Sequence, residues 1–231
     1  EFVEGNWKLK RMHKLIMLSS TYRMSSNTTE SGLKKDPANR LVWRFNARRL
    51  SSEEVRDSIL AANGSLNLKM GGPSFYPIIP REVLQGQSRP GAGWGNSSEE
   101  ERARRAVYIF VKRSLVEPLM ADFDFADVDS SCPVRFTTTQ PTQSLQLMNS
   151  EFSHRQADRF AQFLKEQAPN SIPAQIKLAL TQTTQRNPSD QEVARGEQLI
   201  AELKAAGVSD DDALKYFCLV TFNLNEFLYL D

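Results

Sequence analysis

Four carboxylates fall within eight residues in the middle of the chain, Asp122, Asp124, Asp127 and Asp129, interleaved with Phe123, Phe125 and Val128. Hard cations such as calcium take several oxygens from one flexible loop, so alternating acids of this kind are candidate metal ligands. The spacing matches no EF-hand loop, which needs a central Gly and a distal Glu. The competing reading makes the same aspartates turn formers and ion-pair partners. A cationic group lies close by. Arg104, Arg105, Lys112 and Arg113 flank the apolar run Ala106–Val111, and Arg135 follows Cys132-Pro133. Arginine forks suit carboxylate, sulfate or phosphate, groups that an acidic glycan presents. Their simpler role is to neutralise the neighbouring aspartates. Trp94, in Gly93-Trp94-Gly95, is an indole on a glycine-flanked loop, placed to stack on a sugar or a partner. Trp94, Arg104, Arg105, Arg113 and Arg135 are therefore the candidate ligand-binding residues, and the four aspartates the candidate metal ligands.

Catalytic signatures are missing from the sequence. It has no Gly-x-Ser-x-Gly elbow, no phosphate-binding glycine loop and no His-Glu-x-x-His. A carboxylate pair such as Asp124 with Glu151 would serve acid–base chemistry if folding brought the two together. No residue is assigned a catalytic role on this basis, and no cofactor is expected. Cys132, Cys218, His13 and His154 are too few and too scattered for a zinc site. The two cysteines could be bridged in an oxidising compartment, or be a loop thiol and a buried thiol.

These groups need elements to position them. With 231 residues, 40% hydrophobic and 25% charged, the chain has material for a real core, as one domain or as two lobes, 1–150 helical and irregular and 151–231 helical. Lys+Arg 29 against Asp+Glu 28 leaves +1, which offers nucleic acid no general attraction. The apolar stretch Phe217–Phe222 is far short of a bilayer span, so no membrane insertion is expected. Glu1–Asn6 has neither an initiator Met nor the pattern of a signal peptide and reads as the start of a piece of a longer chain.

Met12, Leu15, Ile16 and Leu18 share one face of a helix predicted over most of Trp7–Ser19, with Lys8, Lys10, Arg11 and Lys14 elsewhere. Trp7 and Trp43 lie in patterned segments and read as core. Ser51 with Glu54 opens a second helix, which Asn63-Gly64 closes. From Leu66 to Asn149 the glycines and prolines allow only loops and short elements, and Ala106–Val111 reads as a strand. Ser153 with Gln156, Pro173, Ser189 with Glu192, and Ser209 with Asp212 then announce four helices. The expected fold class is mainly α, a helical N-terminal part and a C-terminal four-helix region around an irregular middle with a small β element.

Several stretches together resemble a known family. They are Leu15–Arg23, Asp36–Arg44, Arg48-Arg49-Leu50, Met70-Gly71-Gly72-Pro73, Arg105–Tyr108, Thr138–Leu145 and Asn223–Tyr229. In that order, end to end, they are similar to the planctomycete-specific C-terminal domain of unknown function that accompanies planctomycete cytochrome c modules. The resemblance implies a domain of a multidomain extracytoplasmic protein, in the periplasm or at the cell surface. Its implied partners are upstream domains of the same polypeptide, including a haem module. The sequence itself has no Cys-x-x-Cys-His for haem attachment. The family brings no catalytic residues with it. The expected function is that of a structural or ligand-recognition domain, with an acidic glycan as a candidate ligand. The alternative is a hydrolase or lyase acting on an extracellular polymer such as a glycan.

Overall fold

A computed structural model describes residues 1–230. Its fold is mainly α, as the sequence predicts. The chain divides into two compact units, Glu1–Arg49 with the C-terminal residues from Tyr229, and Leu50–Leu228.

The smaller unit holds α1 (Leu9–Met17), α2 (Glu30–Lys35) and an antiparallel pair of two-residue strands, β1 (Arg48–Arg49) and β2 (Tyr229–Leu230). Helix α2 starts where Thr29 Oγ1 accepts the Gly32 N–H at 3.2 Å. The following loop is organised by two side chains. Asn39 donates to Arg44 O at 2.7 Å and accepts from Trp43 N at 2.9 Å, and Asp36 accepts the Leu41 N–H at 2.7 Å. Trp43 lies half-buried over Gly32, where a Cβ would stand 2.6 Å from the ring. Helix α1 does not bury its apolar face. Leu15, Ile16 and Leu18 are 50%, 52% and 60% exposed, and Trp7, read as core, is 66% exposed. The spacing fixes which side chains share a face, and nothing in this unit covers that face.

The larger unit contains the core. Helix α3 (Ser52–Ala62) opens on the expected capping box: Ser51 Oγ accepts from Glu54 N while Glu54 accepts the Ser51 N–H at 2.7 Å. It closes at Asn63, with Gly64 in the left-handed conformation at φ 73°. Short helices α4 (Arg81–Gln85), α5 (Glu99–Arg102) and α6 (Pro118–Asp122) punctuate the irregular middle. The strand expected over Ala106–Val111 is instead a 3-10 turn, Ala106–Tyr108, followed by a one-residue bridge between Phe75 and Ile109. Pro73 and Pro77 flank Phe75 and have no N–H, so the partner segment cannot extend a ladder. Phe75, Ala106, Ile109 and Met120 form a compact apolar cluster there.

Helix α7 (Pro141–Asn149) leads into the helices α8 (Glu151–Gln167), α9 (Ile172–Thr184), α10 (Asp190–Ala205) and α11 (Asp210–Thr221), with a last turn α12 (Asn225–Leu228). The cap of α8 is Ser150, which accepts from Ser153 N at 3.1 Å, while Ser153 itself is buried. Pro173, Ser189 and Ser209 do mark the starts expected of them. Helix α8 packs on α11 and buries Ala157, Phe160, Ala161 and Leu164, and Phe160 stacks on Phe222 with centroids 5.6 Å apart. Gly196 permits the close approach of α10. A Cβ there would meet Ile176 Cγ2 at 2.7 Å and Phe217 Cε2 at 2.9 Å. Cys218 is buried on α11 and Cys132 is exposed, and both are free thiols.

Candidate functional site

The four aspartates are not brought together around a common point. Asp124 accepts the N–H and the hydroxyl of Thr138, both at 2.8 Å. Asp127 accepts from Asp129 N and from Ser130 Oγ, forming a local turn. Asp129 pairs with Arg113 at 2.9 Å, and Asp122 sits half-buried at the end of α6, where burial pushes its carboxyl up. Among the described residues, no group of three or more His, Cys, Asp or Glu is placed to hold a metal ion.

The candidate ligand residues have partners within the fold, although Arg113, paired with Asp129, is 75% exposed. Arg104 is fully buried: its guanidinium donates to Pro73 O at 3.0 Å, to Gly71 O and to Glu101, and lies 4.0 Å over the Tyr108 ring. It ties the Gly71–Pro73 loop to the end of α5. Arg105 also lies over Tyr108, at 5.9 Å. Arg135 holds Glu53 of α3 at 2.7 Å and lies 5.1 Å over Phe125. Burial would raise the Glu53 carboxyl, but the Arg135 bond, its backbone bond and Ser52 outweigh it and leave the group below the usual carboxylate range. Trp94 is not a free stacking platform. It is half-buried, donates from Nε1 to Pro77 O at 3.1 Å and packs edge-on against Tyr76 and Phe110. Gly91 and Gly93 adopt positive φ, which lets the loop turn back and bring the indole inward.

A cleft of about 270 Å³ opens elsewhere in the larger unit, between α3, α5, α8 and the Pro77-Ile78 segment. It is lined by Leu60, Phe152 and two buried ionisable side chains, Arg56 and Glu117. Arg56 donates to Arg104 O at 2.9 Å and to Arg102 O, and its guanidinium lies 5.0 Å over Phe75 and 5.6 Å over Phe152. Glu117 caps α6 by accepting from Met120 N at 3.0 Å. Burial lowers the proton affinity of Arg56 and raises that of Glu117, while attraction between the two opposes both changes.

The walls are polar. Helix α8 presents Phe152, Arg155, Gln156, Arg159 and Gln162 to the cleft, at three- and four-residue spacing, with Gln156 at the edge of the buried stripe that Phe160 and Leu164 continue. Arg159 crosses to Glu99 of α5 at 2.7 Å, and Asp158 is held by Lys215 at 3.2 Å. Arg102 donates to Asn96 Oδ1, but its Nε has no partner. The Arg155 Nε has none either, and the nearest carboxylate to Arg155 is Glu151 at 3.8 Å, too far for a hydrogen bond.

None of the residues singled out in the sequence lines this cleft. Its arginines come from positions 56, 102, 155 and 159. The one local signal was the i, i+4 pair Arg155 and Arg159 beside Phe152, which also describes any solvated helix face.

A family model described as "PSD1: Protein of unknown function (DUF1553)" matches residues 1–200. Comparison with curated proteins gave no match, and comparison with solved structures gave none.

Proposed function

The chain belongs to the PSD1 family of proteins of unknown function, and on that premise we propose that it is a ligand-recognition domain of a larger extracytoplasmic, cytochrome-associated protein. The extracytoplasmic setting and the haem-bearing neighbour follow from the resemblance of its segments to the planctomycete domain. Docking on a neighbouring domain of the same polypeptide is supported by residues 1–49, which bury no hydrophobic side chain and expose Trp7, Leu9, Leu15 and Ile16. The ligand, an acidic glycan, is taken in the cleft between α3, α5 and α8.

One observation carries the recognition reading: the cleft's carboxylates are already engaged, while two of its arginines, Arg102 and Arg155, have no carboxylate within hydrogen-bond distance among the described residues. Glu99 is spent on Arg159, Asp158 on Lys215 and Glu117 on the α6 cap. A general acid or base must be within reach of substrate and free to exchange its proton, and these groups are held in place by partners.

The enzyme alternative has one feature in its favour. Glu117 lines the cleft with its proton affinity raised by burial, as a general acid requires. The two readings separate in one experiment. Incubated with polygalacturonate, alginate or heparin, the domain is expected to retain the polymer on a gel-shift or affinity column without producing new reducing ends or unsaturated products. Depolymerisation that is abolished by Glu117→Gln would replace recognition with catalysis.

A further inference from the structure

Of the charged side chains lining the cleft, most are consumed by one another or by the backbone. Arg56 donates to two carbonyls, Arg159 is bridged to Glu99 at 2.7 Å, and Asp158 to Lys215 at 3.2 Å. Arg102 and Arg155 are less engaged: among the described residues the Arg102 guanidinium donates only to Asn96 Oδ1, and Arg155, its side chain 39% exposed, comes no nearer than 3.8 Å to a carboxylate, that of Glu151. The two arginines reach the same cleft from different elements, α5 and α8. Beside them stand the apolar atoms of Leu60, Pro77, Ile78 and Phe152.

We infer that Arg102 and Arg155 form an oxyanion subsite, which takes the sulfate, phosphate or carboxylate group of a ligand whose uncharged body rests on Phe152 and the Pro77-Ile78 segment. The inference rests on the recognition reading above and adds the chemistry of the ligand and the residues that hold it. Sulfate, phosphate and carboxylate share the planar pair of acceptor oxygens that a guanidinium fork fits. The volume, about 270 Å³, admits one charged group with an attached ring and excludes a folded chain.

Isothermal titration at low ionic strength with sodium sulfate, inorganic phosphate and glucuronate tests the subsite and separates the three anions. At least one is expected to bind saturably, to weaken as salt is added, and to lose about tenfold or more in affinity in both Arg102→Ala and Arg155→Ala. Arg155→Lys keeps the charge without the fork and is expected to recover part of the loss. Arg113→Ala, outside the cleft, is expected to bind as the parent does. Circular dichroism of each variant establishes that it is folded. Absence of saturable binding for all three anions overturns the subsite, as does binding that folded Arg102→Ala and Arg155→Ala leave unchanged. Retention of an acidic glycan equally by the parent and by the double variant overturns the subsite and leaves recognition standing. Anion binding lost in the arginine variants, with no glycan retained, upholds the subsite and removes the glycan as ligand.

Discussion

Helix α1, within residues 1–49, and helix α8, within Leu50–Leu228, both set apolar residues three and four positions apart with charged residues on the remaining face. In α8 that stripe is buried, with Ala157, Phe160 and Leu164 fully covered. In α1 no residue is buried, and Leu15 and Ile16 of its stripe face outward. Periodicity says which side chains travel together, and the length of chain that can return to cover them says whether they become core. Helix α8 has α9 and α11 against it. The contrast extends to charge. Residues 1–49 hold eleven Lys and Arg against four Asp and Glu, so the near-neutral whole conceals a basic segment. Residues 1–49 thus offer basic and apolar surface and bury no hydrophobic side chain, whereas the larger unit has a core and a cleft.

The contrast can be broken most decisively at the two stripes. Phe160→Ala removes a fully buried ring stacked on Phe222 and is expected to cost about 3–5 kcal/mol in denaturant unfolding. Ile16→Ala is expected to change stability by no more than about 0.5 kcal/mol. Comparable losses for the two would mean that α1 is core after all.

A second, smaller effect tests how tightly the larger unit is packed. Gly196→Ala places a methyl 2.7 Å from Ile176, inside van der Waals contact, and is expected to destabilise by about 1–3 kcal/mol despite alanine's better helix propensity. A stabilised variant would show that α10 packs more loosely than described.

Helix caps sharpen the comparison at equal local chemistry. Ser51 caps α3, which buries Val55, Ile59 and Leu60, and Ser51→Ala is expected to cost about 1 kcal/mol of global stability. Thr29 caps α2, which buries nothing, so Thr29→Ala is expected to fray that helix in hydrogen exchange without moving the main unfolding transition.

The smallest effect is the pH dependence. Glu192 is held well below the usual carboxylate range by Arg186 and by its own cap at Ser189. A carboxylate lowered by folding stabilises the protein above about pH 4.5 and loses that contribution as pH falls through its folded value. Glu117 and Asp57 act with the opposite sign. Burial favours their protonated forms, so their contribution is present at low pH and is lost as pH rises through their raised values. Arg186 is exposed and screened by salt, so Arg186→Gln is expected to make the acid limb of a stability–pH curve only slightly shallower. A steeper limb would contradict the assignment.

Much of the fold was legible because its signals are local. The Ser51 and Ser189 capping boxes, Gly64 after α3 and Pro173 inside α9 each report on residues one to three positions away. The site was not legible, because it is assembled from distant positions. Arg56, Arg102 and Arg155 meet only through folding, and each alone reads as a surface cation. The clusters that did stand out, the aspartates and Arg104, were dense because an irregular middle needs many ion pairs and side-chain-to-carbonyl bonds in place of ladders. Trp94 misled for a related reason, since glycines beside an aromatic permit a tight inward turn as readily as a mobile loop.

Hydrogen–deuterium exchange with and without a saturating acidic oligosaccharide tests the recognition cleft most directly. Slowed exchange confined to Glu99–Ala103 and Phe152–Gln162, with the segments around Arg113 and Arg135 unchanged, is the predicted result. Protection centred on Arg113 and Arg135, or binding without protection at α5 and α8, would contradict it.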